Sequence, residues 1–432
     1  MVEMIPDKKN FLSTTFVKMI RKKGLLCHLT ENDLPVIDGI HDGVNAFAGP
    51  QVIHLDLTNR CNLNCIACWC QSPLLGPEHI ETRQPGETLP FEVITSFIDG
   101  FVEMGGATQI KLGGGGEPTM HPKFADVLTY LRKRAPDIEI DINTNFTRFD
   151  DRLIDLILET GVNKLTVSLW AGTSTTYQKT HPNQQGKATF ERVVSNLRKL
   201  CSARSEGLPE ICIHNVLMNL NCHELELMLE LALDIGVDDL HFVLVDPVPG
   251  KTEQLLMNQK ERTQVVGQLQ KIKPHMDIFD KYTHLRTSRN IRIVNYLELL
   301  RRLSQFESNI GVYDKKAVER IPCYIGWIFT RVLANGRIAP CCKGHRMTMG
   351  DLNKNRFKEI WHSTRYKRFR RNGLIMGRSN AYYSLMGNKL QKDSGCYNCD
   401  NLMHNTDVHR KRLSQENVLR WAAFELLHWL DL

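Results

Sequence analysis

Four cysteines fall within ten residues in Cys61-Asn-Leu-Asn-Cys65-Ile-Ala-Cys68-Trp-Cys70, directly after the apolar run Val52–Leu57. Thiolates are the usual ligands of iron–sulfur clusters. Three of them in the spacing CxxxCxxC leave one iron of a four-iron cluster open, as a reaction centre requires. Zinc is the alternative, because Cys70 could close a tetrahedral site as fourth ligand. A second group lies far along the chain: Cys323, the pair Cys341-Cys342, and the knuckle Cys396-Tyr-Asn-Cys399. The stretch from Gly326 through Asn335-Gly336 to Cys342 reads as a β-hairpin that brings Cys323 beside Cys341. By count, four such thiolates hold zinc or an iron–sulfur cluster equally well, and spacing alone favours zinc. Cys27, Cys201, Cys212 and Cys222 are scattered and read as structural.

The elements that must position these residues follow from periodicity. Strand-like runs at Val52–Leu57, Gln109–Leu112, Ile138–Ile142, Lys164–Leu169, Ile211–Met218 and His241–Val245 alternate with helical patterns at Phe91–Met104, Pro122–Lys133, Asp151–Thr160, Phe190–Ser202 and Glu224–Ile235. Repeated β-α order predicts a parallel sheet with right-handed crossovers. Six units, where a closed barrel has eight, predict an open partial (β/α)6 barrel over residues 51–250, with chemistry at the C-terminal strand ends. Residues 1–50 read as an N-terminal extension, 251–320 as a helical and polar linker region, and 321–405 as a small cysteine-rich domain. Residues 406–432 contain an amphipathic helix (Leu419, Trp421, Phe424, Leu427, Trp429) suited to docking on the body.

The Cys61–Cys68 spacing after the first strand resembles the signature of the radical S-adenosylmethionine (SAM) superfamily. That resemblance implies a catalytic 4Fe–4S cluster on Cys61, Cys65 and Cys68 whose open iron chelates SAM. Ala67 departs from the pattern, which usually has an aromatic residue there, and Trp69 follows instead. Gly113-Gly-Gly-Gly-Glu117-Pro118, one unit later, is similar to the family's GGEP motif, which assigns Gly115, Gly116 and Glu117 to the methionyl amino group. Asn145 and Ser168, at the next two strand ends, inherit contacts to the ribose and carboxylate of SAM. Pro340-Cys341-Cys342, Gly350-Asp-Leu and Glu359-Ile-Trp361 resemble a SPASM or twitch domain. Cys399 is the last cysteine of the chain, so the resemblance implies one auxiliary 4Fe–4S cluster, on Cys323, Cys341, Cys396 and Cys399, with Cys342 in reserve.

What the family resemblance implies is an enzyme that cleaves SAM with one electron and removes a hydrogen atom from a substrate. Two substrate classes compete. One is a small molecule such as a sugar or aminocyclitol alcohol, with the auxiliary cluster accepting an electron. The other is a ribosomal peptide modified by a SPASM-type maturase. A zinc-structured binding protein is the non-enzymatic reading. Substrate oxidation needs a base, for which Asp246 and His214 have suitable strand positions. A reductant such as flavodoxin or ferredoxin is the expected protein partner. No apolar run is long enough to span a bilayer, and the N-terminus lacks a signal-peptide h-region, so the expected address is cytoplasmic. The net charge of +7 does not by itself indicate nucleic acid, and the basic run Arg365–Arg371 reads as a solvated helix face.

Overall fold

A computed structural model describes residues 30, 32–76, 87–182, 186–273, 276–278, 291–375, 381–387 and 395–414. Strands β1 (Val52–Leu55), β2 (Gln109–Leu112), β3 (Glu139–Thr144), β4 (Lys164–Ser168), β5 (Glu210–Leu217) and β6 (Asp239–Leu244) are joined by crossover helices. They pair in parallel, each with the next, so the expected six-unit barrel is present. The sheet continues at both edges. Beyond β6 lie β8 (Ile291–Ile293) and β7 (Met276–Ile278); beyond β1 lie β9 (Phe329–Val332), β10 (Arg337–Ala339) and β11 (Gly350–Asp351). The order is β11-β10-β9-β1-β2-β3-β4-β5-β6-β8-β7, an open sheet that never returns to β1.

Alternation along each strand explains this layering. In β1, Ile53 and Leu55 are fully buried beneath the helices, whereas Val52 and His54 alternate with them and are half-buried. Side chains two apart share a face, so the register His54↔Lys111 and His214↔His241 lines the barrel interior with polar groups. The base of that interior is filled by charge. Lys164 pairs with Glu210 and with Asp239 at 3.2 Å, while Arg292 on β8 reaches Asp239 at 2.6 Å and Glu210 at 2.9 Å. Chemistry is thereby confined to the opposite, C-terminal mouth.

Two features differ from the sequence expectation. Residues 251–320, expected to be helical and polar, also contribute β7 and β8 alongside the helices Gln259–Ile272 and Tyr296–Ser304. Three-residue strands are too short for periodicity to register. The cysteine-rich segment also shares the barrel's sheet, because β9 pairs with β1 in parallel. Its hairpin forms as expected, β9 against β10, turning at Gly336 with φ +82°. Helix Leu34–Asp42 and the chain after it cap this segment: the indoles of Trp327 and Trp361 donate to Asn45 O and Ala48 O at 2.7 and 2.9 Å. Residues 402–414 are helical, and the amphipathic helix expected over Glu416–Leu432 lies outside the described residues. No helix among the described residues is long and apolar enough to cross a membrane.

Candidate functional site

The first cysteine loop leaves the C-terminal end of β1 and is fixed by short bonds to its surroundings. Ile66 N donates to Thr180 O at 2.9 Å, Cys68 N to Cys65 O at 3.0 Å, and Ser72 N to Cys68 O at 3.2 Å. The glycine run after β2 packs directly on it. A Cβ at Gly116 would lie 2.3 Å from Arg60 O and 2.8 Å from Thr58 O, so only glycine allows this approach. Glu117 N donates to Arg60 O at 2.9 Å and completes the seam.

Cys61, Cys65 and Cys68 are each partly buried. Burial pushes the Cys61 thiol up to about 12, with Glu117 and Cys68 adding to it. Burial also holds Cys65 well above the ordinary range, reinforced by Cys68 and then Cys61. Thiols that oppose one another's ionisation are a donor set that a cationic metal centre stabilises as thiolates, so these residues fit an iron–sulfur cluster. Cys70 is 2% exposed, 3.7 Å from Cys68 Sγ, and donates to Gly115 O at 3.2 Å. Its hydrogen bond and those from the backbone at Cys70 and Gln71 bring Cys68 below the usual thiol range, against burial.

Glu117, 2% exposed, ties the ends of β2 and β3 together. Oε1 accepts from Thr119 Oγ1 at 2.7 Å and Thr144 Oγ1 at 2.8 Å, and Oε2 accepts from Asn145 N at 2.8 Å. Burial raises its carboxyl above the usual range while these bonds oppose the shift. Asn145 reaches back to the cysteine loop, with Nδ2 at 3.0 Å from Asn62 Oδ1 and 3.8 Å from Cys61 Sγ. Phe146 follows with φ +60°, a left-handed conformation that usually favours glycine. Ser168 ends β4, half-buried, in register with His214.

The second cysteine set is assembled from separate elements. Cys323 N donates to Gly373 O at 2.7 Å, Cys399 N to Asp314 Oδ2 at 3.0 Å, and Leu402 N to Cys399 O at 3.1 Å. Asp314 is fully buried and bound by Arg301 at 2.5 Å and Arg302 at 2.8 Å. Burial holds the Cys341 thiol well above its usual range, followed by the fields of Cys396, Cys342, Cys323 and Cys399, so the whole set surrounds it. Cys342 turns the other way, into the barrel mouth, 3.6 Å from His54 Nδ1 and 3.8 Å from Asn401 Oδ1. Among the described residues no three Cys, His, Asp or Glu side chains converge tightly enough to hold a single metal ion. A four-iron cube spreads its thiolates more widely than a mononuclear site does.

Between the two sets lie residues that sequence reading did not find. Arg331 of β9 is 5% exposed; it donates to Asp56 Oδ2 at 2.7 Å and Cys342 O at 3.1 Å, and stacks 5.3 Å from the Trp69 ring centroid. It therefore bridges the two cysteine regions. The available signal was an arginine inside the apolar run Ile325–Leu333, since charge in such a strand is buried only with a partner. Asp246 pairs with Lys343 and accepts from Asn398 Nδ2 at 2.5 Å. Burial works against the Lys343 charge, but Asp246 and Asp400 more than offset it, and its ammonium is held above the usual range. His214 faces His241 with ring centroids 5.1 Å apart, and burial pushes it down to about 4.

Comparison with known proteins agrees with this arrangement. The Radical SAM superfamily pattern matches residues 55–232, and SPASM, an iron-sulfur cluster-binding domain, matches residues 323–400. The tungsten-containing aldehyde ferredoxin oxidoreductase cofactor-modifying protein of Pyrococcus furiosus is 25% identical over 330 residues, 74% of this chain and 82% of that protein. The AdoMet-dependent heme synthase of Methanosarcina barkeri is 23% identical over 319 residues, 73% and 82% of the two chains. Among solved structures, Streptococcus suis SuiB bound to S-adenosylmethionine superposes with a TM-score of 0.59 at 12% identity, covering 90% of this chain and 84% of SuiB. Native anSMEcpe with bound AdoMet and a peptide gives 0.53 at 14% identity, covering 85% and 99%. At these identities the superpositions concern the fold.

Proposed function

Because the chain is a radical SAM enzyme with a C-terminal SPASM domain, using SAM, a 4Fe–4S cluster and an auxiliary iron–sulfur site, we propose that it oxidises a small-molecule alcohol held in the barrel mouth between its two cysteine regions. When bound, these cofactors supply one-electron cleavage of the SAM sulfonium, hydrogen-atom abstraction from substrate and a sink for the second electron. Cys61, Cys65 and Cys68 would hold the first cluster, and Cys323, Cys341, Cys396 and Cys399 the second. Gly115, Gly116, Glu117, Asn145 and Ser168 line the strand ends where SAM would bind. Glu117 already accepts bonds on both oxygens, so its part at the methionyl ammonium combines charge with holding the β2 and β3 ends in place.

The observation that carries the reading is the inward group formed by Asp246, Lys343, Cys342 and His54 between the two sets. Cys341 belongs to the cysteine gathering, whereas Cys342 faces the interior, which favours Cys341 as the ligand. Asp246 is the proton acceptor for the hydroxyl, oriented by Asn398 and with Lys343 beside it to stabilise charge; His214 on the opposite wall positions substrate. The names of the two sequence relatives, a cofactor-modifying protein and a heme synthase, are in keeping with a small-molecule substrate. Peptide modification is the second reading, favoured by the fold likeness to anSMEcpe bound to a peptide.

Anaerobic reconstitution tests the proposal. Replacing Cys61, Cys65 and Cys68 together by Ala should abolish SAM cleavage and leave about half the iron, as expected for two four-iron clusters. The Cys396→Ala/Cys399→Ala variant should lose product formation yet retain uncoupled SAM cleavage. Mössbauer spectra and elemental analysis of the triple variant read the second site alone; zinc there, without iron, would sink the electron-sink assignment. Deuterium transfer into 5′-deoxyadenosine from a labelled peptide, and from no labelled alcohol, would favour the second reading.

A further inference from the structure

The basic run set aside in the sequence acquires a role from where its helix sits. Between Gly350 and Leu374 the chain carries eight lysines and arginines but only two carboxylates, Asp351 and Glu359. One of the cations, Arg370, is internal: it donates to Gly326 O and Trp361 O at 2.8 and 2.9 Å and lies 4.7 Å from the Trp361 ring centroid. Arg365, Arg368 and Arg371 are exposed on the outer face of helix Thr364–Leu374. Arg365 also lines an open cleft with Arg337, Lys354 and Asp351 beside edge strand β11. Lys354, 77% exposed, approaches Asp351 only to 3.9 Å.

The inner face of the same helix touches the auxiliary cysteines. Gly373 accepts from Cys323 N at 2.7 Å, and a Cβ at Gly373 would lie 2.4 Å from Cys323 O. Tyr366, buried, donates to or accepts from Thr330 Oγ1 at 2.9 Å and lies in the field of the Cys341 thiol. One helix thus presents arginines to solvent, its Gly373 backbone to Cys323 and its Tyr366 side chain towards Cys341. A basic surface concentrates and orients acidic partners, and the short path behind it ends at a redox centre.

We propose that the face formed by Arg337, Lys354, Arg365 and Arg371 docks an acidic one-electron carrier protein, which exchanges a single electron with the auxiliary site through the Thr364–Leu374 helix. One partner loses the electron, the other gains it, and no bond forms or breaks. This inference rests on the auxiliary ligand set proposed above. An acidic peptide or RNA would satisfy the charge alone, but neither accounts for the basic face sharing a helix with the Gly373 contact to Cys323.

The holoenzyme and flavodoxin as probe provide the test. Flavodoxin binding should weaken steeply with salt. The Arg365→Glu/Arg371→Glu variant should lose about tenfold or more in affinity, mostly in association rate, with a flattened salt response. Electron transfer from photoreduced flavodoxin should slow in parallel, while dithionite-driven SAM cleavage, iron content and circular dichroism stay at wild-type levels. Lys354→Glu, at a highly exposed position, provides a second variant with the same expected direction. Unchanged flavodoxin affinity and salt dependence in both variants would overturn the proposal, as would an RNA or acidic-peptide preference with no flavodoxin binding. Salt-dependent, charge-sensitive binding to a wild-type protein that cleaves no SAM would uphold the docking surface and sink the functional reading instead.

Discussion

The two cysteine regions achieve the same kind of gathering by opposite means. The first places three cysteines within eight residues on a single loop, and its shape comes from neighbours: a strand end beneath it and a glycine run pressed against Arg60 O. The second draws Cys323, Cys341, Cys396 and Cys399 from segments separated by up to 76 positions. It relies on side chains that are not cysteines. Asp314 holds Cys399 and answers Arg301 and Arg302, and Asn405 accepts from Tyr324 N at 2.6 Å, next to Cys323. A local site depends on backbone fit, whereas a dispersed one depends on buried polar partners. Different substitutions should therefore break each.

Asp314→Ala is the largest expected effect. Removing one partner of a buried ion-pair network costs about 3–5 kcal/mol, and here it also frees Cys399 N. Denaturant melts should show the loss, and iron should fall only at the second site. Asp314→Asn keeps an acceptor for Cys399 and should recover part of the iron but little of the stability. If Asp314→Ala instead emptied the first site, the two regions would not be independently held. Gly116→Ala is the matching change at the first loop. Its Cβ meets backbone, which cannot swing aside, and overpacking of this kind costs about 1–3 kcal/mol. The specific expectation is weaker SAM binding with the second cluster intact, read by calorimetry and by Mössbauer spectroscopy.

This contrast also explains what the sequence disclosed. The six-unit barrel was legible because each strand and helix has its own periodicity, and the first loop because its cysteines are contiguous. Asp314, Arg331 and Lys343 were not, since each acts through a partner many residues away: Arg331 meets Asp56 across 275 positions. Nothing in the chain near Asp314 distinguishes it from a surface carboxylate. Cys341 and Cys342 look interchangeable as neighbours, yet they lie in the turn after β10, where Gly344 N donates to Cys341 O at 3.0 Å, and there one is set among the other cysteines and one against His54. The basic run misled in part, because Arg370 lies inside the fold, where its cation stacks on Trp361.

The smallest expected effect concerns the barrel wall opposite the two regions. His214 faces His241 on β6 and Lys111 on β2, with Ser168 beside it in register. Burial, followed by the Lys111 charge, pushes His214 down to about 4. The folded state therefore binds fewer protons than the unfolded chain between about pH 6.5 and 4. The stability contributed by neutral His214 is complete above that window and is lost as pH falls through it. From pH 6.5 to 5.5 the loss is about 1 kcal/mol. His241 is depressed in the same direction, by burial first and then by His214 and Lys111, so the wild type should lose more than one histidine's share. His214→Asn removes the titrating group while keeping a polar side chain in the interior. Its denaturant midpoints at pH 6.5 and 5.5 should lie closer together than those of the wild type. Equal separations would mean that His214 is solvated well enough to titrate normally, and that this wall of the barrel is open to water.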